Sequence, residues 1–231
     1  MKSRPKIQKE TYLKCINKHY PIYIVLFICL YILSERTGFS FILCILTFIV
    51  ISYIGYVSHY TSHCICYTKL FLGNTGYHNL IKPTFIKKVQ KTIKGNKYLY
   101  MTMTGICKVL DFHRDVHHNS EINGTTMNII NECLNNALFQ GLGFMLFIWL
   151  CNLLNKKIIL FWILLYVSVH NINYNIKKSF THMNHHTDIY KNISFGFDLW
   201  DVILGTSVNT EYRADIIINM IAITLIFEIF K

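Results

Sequence analysis

The sequence predicts an all-α chain: a polytopic membrane helical bundle of about four transmembrane helices, with a histidine-rich cap on the cytoplasmic side. Three observations predict it. The apolar residues, 52% of 231, are gathered into long runs instead of being scattered as in a soluble domain. Most of the 23 lysines and arginines lie on alternate connections between those runs. Nine of the eleven histidines fall in four short segments beside the ends of the runs.

Residues 1–20 form a basic N-terminus carrying Lys2, Arg4, Lys6, Lys9, Lys14 and Lys18. The first span is expected over 21–33 (PIYIVLFICLYIL), which at 13 residues is short for a bilayer core of about 30 Å. It is not expected to be a cleaved signal, because Ser34-Glu35-Arg36 lacks the small residues of a cleavage site. Instead it forms one arm of a hairpin that turns at Glu35-Arg36-Thr37-Gly38 and returns as the second span, 39–58, which carries no charge. A basic amphipathic excursion follows over 64–112, with Pro83 and several glycines. The third span is expected over 134–154 and the fourth over 158–173, separated by Asn155-Lys156-Lys157. A last apolar segment occupies 207–231 and contains Glu228; it crosses partially or lies along the interface. Residues 21–206 are expected to act as one domain.

The charge pattern sets the orientation. Nine basic residues, Lys69 to Arg114, lie between 64 and 133, against one in the turn 34–38 and two in 155–157. The positive-inside rule places both termini and the long loop in the cytoplasm. A net charge of +11 also raises nucleic acid as a partner, but here the charge flanks apolar runs, and anionic lipid headgroups account for it more simply. No nucleic acid is expected. Cys64-Ile-Cys66 lacks the two-residue spacer of a zinc or redox pair, so the eight cysteines are expected to be free thiols.

The histidines fall in the same compartment. His59 and His63 (SHYTSH) close the second run; His113, His117 and His118 (HRDVHH) precede the third. His170 ends the fourth, and His182, His185 and His186 (HMNHH) follow it. Paired spans bring every group out on one side of the membrane. On a helix, i, i+3 and i+4 share a face, so His59 with His63, His113 with His117, and His182 with His185 and His186 turn the same way, while adjacent His117 and His118 diverge by about 100° and could serve different metals. Eight or nine imidazoles exceed the needs of one tetrahedral zinc and suit two ions. His19 and His78 stand apart and are expected to be ordinary interface residues. Imidazole accepts Fe, Zn, Cu and Ni alike. A metal centre opening toward a bilayer meets C–H bonds, however, and activating O₂ against those needs a redox metal. Two iron ions are therefore expected, with zinc able to replace them in a purified form. A zinc transporter would place His, Asp or Glu within its spans; 39–58 and 158–169 contain none.

The order HxxxH, HxxxHH, HxxHH resembles the membrane fatty acid hydroxylase and sterol desaturase superfamily. The nearest stretch is THMNHHTDIYKNISFGFDLWDVILGT, residues 181–206, where the last box is followed by Phe195-Gly196-Phe197, Leu199-Trp200-Asp201 and Leu204-Gly205-Thr206. The resemblance covers roughly 39–206. It implies metal ligands at His59, His63, His113, His117, His118, His182, His185 and His186, with His170 as a ninth. It implies a lipid substrate, fatty acyl or sterol, and an O₂-dependent hydroxylase, or a desaturase of acyl, sterol or ether-lipid chains on the same site. Two departures leave that choice open: about 50 residues separate His63 from His113, and the middle box has three spacer residues where hydroxylases more often have two. Asp115, Glu121, Asp198 and Asp201 are candidates to orient the rings, and Trp200 is expected to anchor at the interface. The chain has neither a dinucleotide loop nor a haem domain. Electrons are therefore expected from a separate protein; the resemblance implies a b-type cytochrome and its NAD(P)H reductase, at the endoplasmic reticulum if the host is eukaryotic.

Overall fold

The structure is a computed structural model, and it describes residues 12–73, 83–119, 126–137, 154–177, 179–194, 198–208 and 210–230. All regular elements among them are helical. They are α1 (Tyr12–Thr37), α2 (Phe41–Cys64), α3 (Tyr67–Leu72), α4 (Pro83–Lys94), α5 (Lys97–Phe112), α6 (Thr126–Asn135), α7 (Lys156–Asn171), α8 (Phe180–Thr187), α9 (Leu199–Leu204) and α10 (Ala214–Ile229). A π-helical turn, His113–His117, continues α5, and another, Ile172–Lys177, continues α7. The chain divides into two compact units. The first comprises Met1–His59 and Asn136–Lys231, the second Tyr60–Asn135, so α2 runs from one into the other.

In the first unit, α1 is twice the expected length. The 13-residue run is extended backward over 12–20 and forward over 34–37; Cys15, His19 and Ile22 continue at helical spacing the buried stripe of Leu26, Leu30 and Leu33. The expected hairpin turn is present. Gly38 adopts φ +68° and its N–H bonds to the Ser34 carbonyl, closing α1 with a left-handed residue that only glycine takes at no steric cost. Helices α1 and α2 are the two described helices long and apolar enough to cross a membrane. Their exposed faces fit that: Ile24, Phe27, Ile28 and Tyr31 on α1, and Ile42, Leu46, Ile49 and Tyr53 on α2, are all large and apolar.

Helix α7 starts two residues before the expected fourth span. Asn155 caps it by accepting from the Lys157 and Ile158 amides and donates to Thr37 Oγ1 at 3.0 Å. At 16 residues it is shorter than the roughly 20 a straight crossing needs. It is buried on nearly every face, with Phe161, Trp162, Leu165 and Tyr166 at the centre of the core. Phe48 of α2 meets the Trp162 ring edge-on at 5.3 Å between centroids. Helix α10 packs Ile216, Met220 and Ile223 into the same core, and its Glu228 pairs with Arg36 at 2.7 Å, which accounts for an acid within the last apolar segment. Of the expected third span, only residues 134–137 and Leu154 lie among those described.

The second unit is the basic excursion, folded as α3, α4 and α5 packed on one another with α6 against α5. Buried Asp111 organises it. Its carboxylate accepts from the Tyr67 and Thr68 amides, both at 2.8 Å, capping α3, and pairs with Arg114 at 3.3 Å. Gln90 of α4 donates to the Leu70 carbonyl at 2.9 Å. Beside Asp111, burial pushes the Cys107 thiol up to about 11, which keeps it a protonated core residue.

Candidate metal centre

All nine histidines named from the sequence are placed, and each compact unit gathers its own group. In the first unit these are His59, His170, His182, His185 and His186. His59 sits near the end of α2 and His170 near the end of α7, while α8 carries the other three on one face. Ser179 starts α8 by accepting the His182 amide at 3.2 Å. Ring centroids of His59 and His185 lie 4.8 Å apart, those of His170 and His182 5.0 Å, and those of His182 and His186 4.6 Å. Tyr166, one turn before His170, stacks on its ring.

Two of these rings are held by backbone. His59 Nδ1 lies 2.8 Å from the Ile193 carbonyl, and His185 Nδ1 lies 2.8 Å from the Lys191 carbonyl. A carbonyl only accepts, so Nδ1 carries the proton in each ring and Nε2 carries the lone pair that a metal takes. The loop supplying both carbonyls is fixed by buried side chains. Asn192, at φ +50°, donates to the Val208 carbonyl at 2.9 Å and accepts its amide at 2.8 Å. Asp201 accepts from the Ile193 and Ser194 amides at 2.9 and 2.7 Å and from Thr206 Oγ1 at 2.5 Å. Burial pushes the Asp201 carboxyl up to about 7, opposed by its bonds from Thr206 and Ser194. The Trp-Asp and Gly-Thr ending thus has a physical role. It fixes the strand of backbone on which His59 rests.

The second unit holds His63, His113, His117 and His118. His63 lies 4.9 Å from His113 and 4.6 Å from His118 between ring centroids. His113 and His117 stack at 4.7 Å with 20° between planes, an alignment given by the π turn, in which the His118 amide reaches the His113 carbonyl. Buried Glu132 of α6 faces both: Oε2 is 3.3 Å from His117 Nδ1 and Oε1 is 3.8 Å from His113 Nδ1. Burial holds His113 well below its ordinary range despite Glu132, so its ring stays neutral and keeps a lone pair. Ligand atoms of His113, His117 and Glu132 all lie within 4.8 Å of one another.

The donor sets fit metal ions. Every group is imidazole-rich and mostly buried, and His182 Nε2 lies 2.9 Å from His186 Nε2. Two nitrogens bound to one ion at about 2.0–2.1 Å stand roughly 2.9–3.4 Å apart, by the bond lengths of imidazole complexes.

The described acids expected to orient the rings have other partners. Asp115 is exposed on Arg114, Asp198 pairs with His19 at 3.0 Å, and Asp201 holds backbone, as above. Glu121 lies outside the described residues, as do Phe195, Gly196, Phe197 and His78. The sequence did not single out Glu132, although it is the only acid between Glu121 and Asp188, and that isolation was the available signal. His19 is not an interface residue; it is fully buried against Asp198 and beside the Tyr212 ring. Trp200, expected as an interface anchor, donates Nε1–H to Ser52 Oγ at 2.9 Å and packs its ring on Tyr53.

Two cavities in the first unit share a wall, and one of them is lined by histidines. One is polar and lined by His59, His170, His182, Asn192, Asp198 and Arg213. The other, about 140 Å³, is apolar and lined by Leu26, Leu30, Phe48, Trp162 and Trp200 among others. Tyr166, Ile193 and Ser194 line both. No family model, no curated protein and no solved structure matches the chain.

Proposed function

We propose that this chain is a membrane-bound oxidoreductase that uses O₂ and externally supplied electrons to hydroxylate a C–H bond of a fatty acyl chain or sterol. The observation that carries this proposal is the shared wall of Tyr166, Ile193 and Ser194, where an apolar cleft between α1, α2, α7 and α9 meets the pocket of His59, His170 and His182. A hydrocarbon in the cleft presents a C–H bond to the imidazole side and keeps water from it. The resemblance of the histidine boxes to the fatty acid hydroxylase and sterol desaturase superfamily supports the same chemistry. So do the two long apolar helices that border the cleft.

His59, His170, His182, His185 and His186 would hold one ion, and His63, His113, His117 and His118 a second, with Glu132 orienting His113 and His117. A bound pair of irons would supply the O₂ activation and one-electron chemistry that C–H cleavage requires. The chain's own residues do the rest. The Ile193 and Lys191 carbonyls fix the tautomers of His59 and His185, and Leu26, Leu30 and Phe48 bind the chain. Trp200, tied to Ser52, lines the same cleft. We further propose that the spans lie with the histidines on the cytoplasmic side, where a separate b-type cytochrome and reductase deliver electrons.

The test is expression in a lipid-producing host, with metal analysis of the purified protein and untargeted lipid mass spectrometry. A product heavier by one oxygen that vanishes with His185→Ala is the expected result. A product lighter by two hydrogens would assign the desaturase instead. Iron-free protein with an unchanged lipid profile would overturn both.

A further inference from the structure

The second unit carries a surface that the proposed chemistry does not use. Helix α5 buries Cys107 and Asp111 on one side and exposes Tyr98, Met101, Ile106 and Val109 on the other. At 100° per residue these four fall within one face of the helix. Helix α4, joined to α5 by Gly95 and Asn96, buries Ile86, Gln90 and Ile93 and exposes Lys87, Lys88 and Lys91 opposite them. Over residues 83–112 there are six lysines and a single acid, Asp111, which is buried and paired with Arg114. An exposed apolar face with aromatic residues at its start, beside a helix of unpaired-sign lysines, matches what anionic headgroups over an acyl layer attract. The unit also begins within α2 itself, one of the two helices fit to cross a membrane, so its residues from Tyr60 onward start at the end of that helix.

We propose that α4 and α5 dock on the surface of an anionic bilayer, with Tyr98, Met101, Ile106 and Val109 entering the acyl boundary and Lys87, Lys88 and Lys91 contacting phosphate and carboxylate headgroups. The occupant is the lipid surface. It is neither a protein partner nor a second copy. This proposal rests on the membrane placement given above but not on the metal chemistry.

The full chain is reconstituted in vesicles of phosphatidylcholine with and without phosphatidylserine, with the photoreactive residue benzoylphenylalanine incorporated at Met101 or Ile106. Irradiation is expected to yield lipid adducts by intact mass at both positions, more abundant with phosphatidylserine. In those vesicles the triple change K87E/K88E/K91E should lower them several-fold. Because the three lysines are exposed, that variant should melt at the same temperature in detergent. Adducts within the chain or to a second copy would overturn the proposal, as would lipid adducts indifferent to both phosphatidylserine and the lysines. Carbonate washing separates the two levels. A chain stripped from membranes refutes the membrane placement together with this surface, whereas a retained chain without lipid adducts refutes the surface alone.

Discussion

The two histidine groups solve the same problem by different means. In the first unit, His59 and His185 are oriented by neutral backbone carbonyls on a loop whose shape Asn192 and Asp201 maintain. In the second, His113 and His117 face one buried carboxylate, Glu132, and are aligned by a π turn. A carbonyl fixes the tautomer and adds no charge. A carboxylate also adds negative charge and makes the ligands more basic. An ion bound in the second unit would therefore be held in a more electron-rich shell, and single substitutions should break the two groups in different ways.

The largest effects test whether both groups are needed. His117→Ala and His185→Ala are each expected to abolish product, and each should lower the metal content of purified protein while the chain stays inserted. Full turnover with either replaced would show that its group is dispensable. Glu132→Gln keeps the shape but removes the charge, and is expected to weaken metal affinity about 10–100-fold, as for other outer-shell carboxylates. Chelator titration of the variant measures it, and an unchanged affinity would remove the distinction between the two groups.

Asp201→Asn disturbs the carbonyl-held group indirectly. It replaces an acceptor of three bonds by a group that turns an N–H₂ toward one donor, at a cost of about 1–3 kcal/mol for a buried unmatched polar atom. Thermal unfolding in detergent should register that loss, and metal affinity should fall less than in Glu132→Gln. The smallest effect concerns the ion pairs flanking the first group. Burial alone would raise Asp215, but Arg213 and Lys177 outweigh it and hold the carboxyl below its ordinary 3.8. A depressed acid contributes stability that is present above the unfolded value and lost as pH falls through the folded one. Melting temperature should thus drop below about pH 4 in the native chain, from the ordinary carboxylate range, and drop less steeply there in Asp215→Asn.

Histidine spacing made the candidate site legible, because i, i+3 and i+4 positions share a helix face whatever surrounds them. The apolar run of α2 and the turn at Gly38 were legible for equally local reasons. What the sequence hid was long-range. The extension of α1 back to Tyr12 depends on Cys15 and His19 finding buried partners, His19 with Asp198 across 179 positions of chain. Glu132 acquires its role only when α6 packs beside the π turn. Asp201, one of four candidate ring-orienting acids, acts one step removed, through the amides of Ile193 and Ser194. Nothing in its spacing distinguishes those two roles.

The π turn at His113–His117 accommodates one residue more than an α-helix would over the same rise. Deleting Val116 would let the ordinary ladder re-form, with His117 only three positions after His113 and so about 60° short of a full turn from it around the axis. The stacking of His113 on His117 would be lost, with every imidazole still present and the local helix more regular than before. In this segment an irregularity of winding carries information that composition does not, and a change that tidies the backbone would undo the alignment.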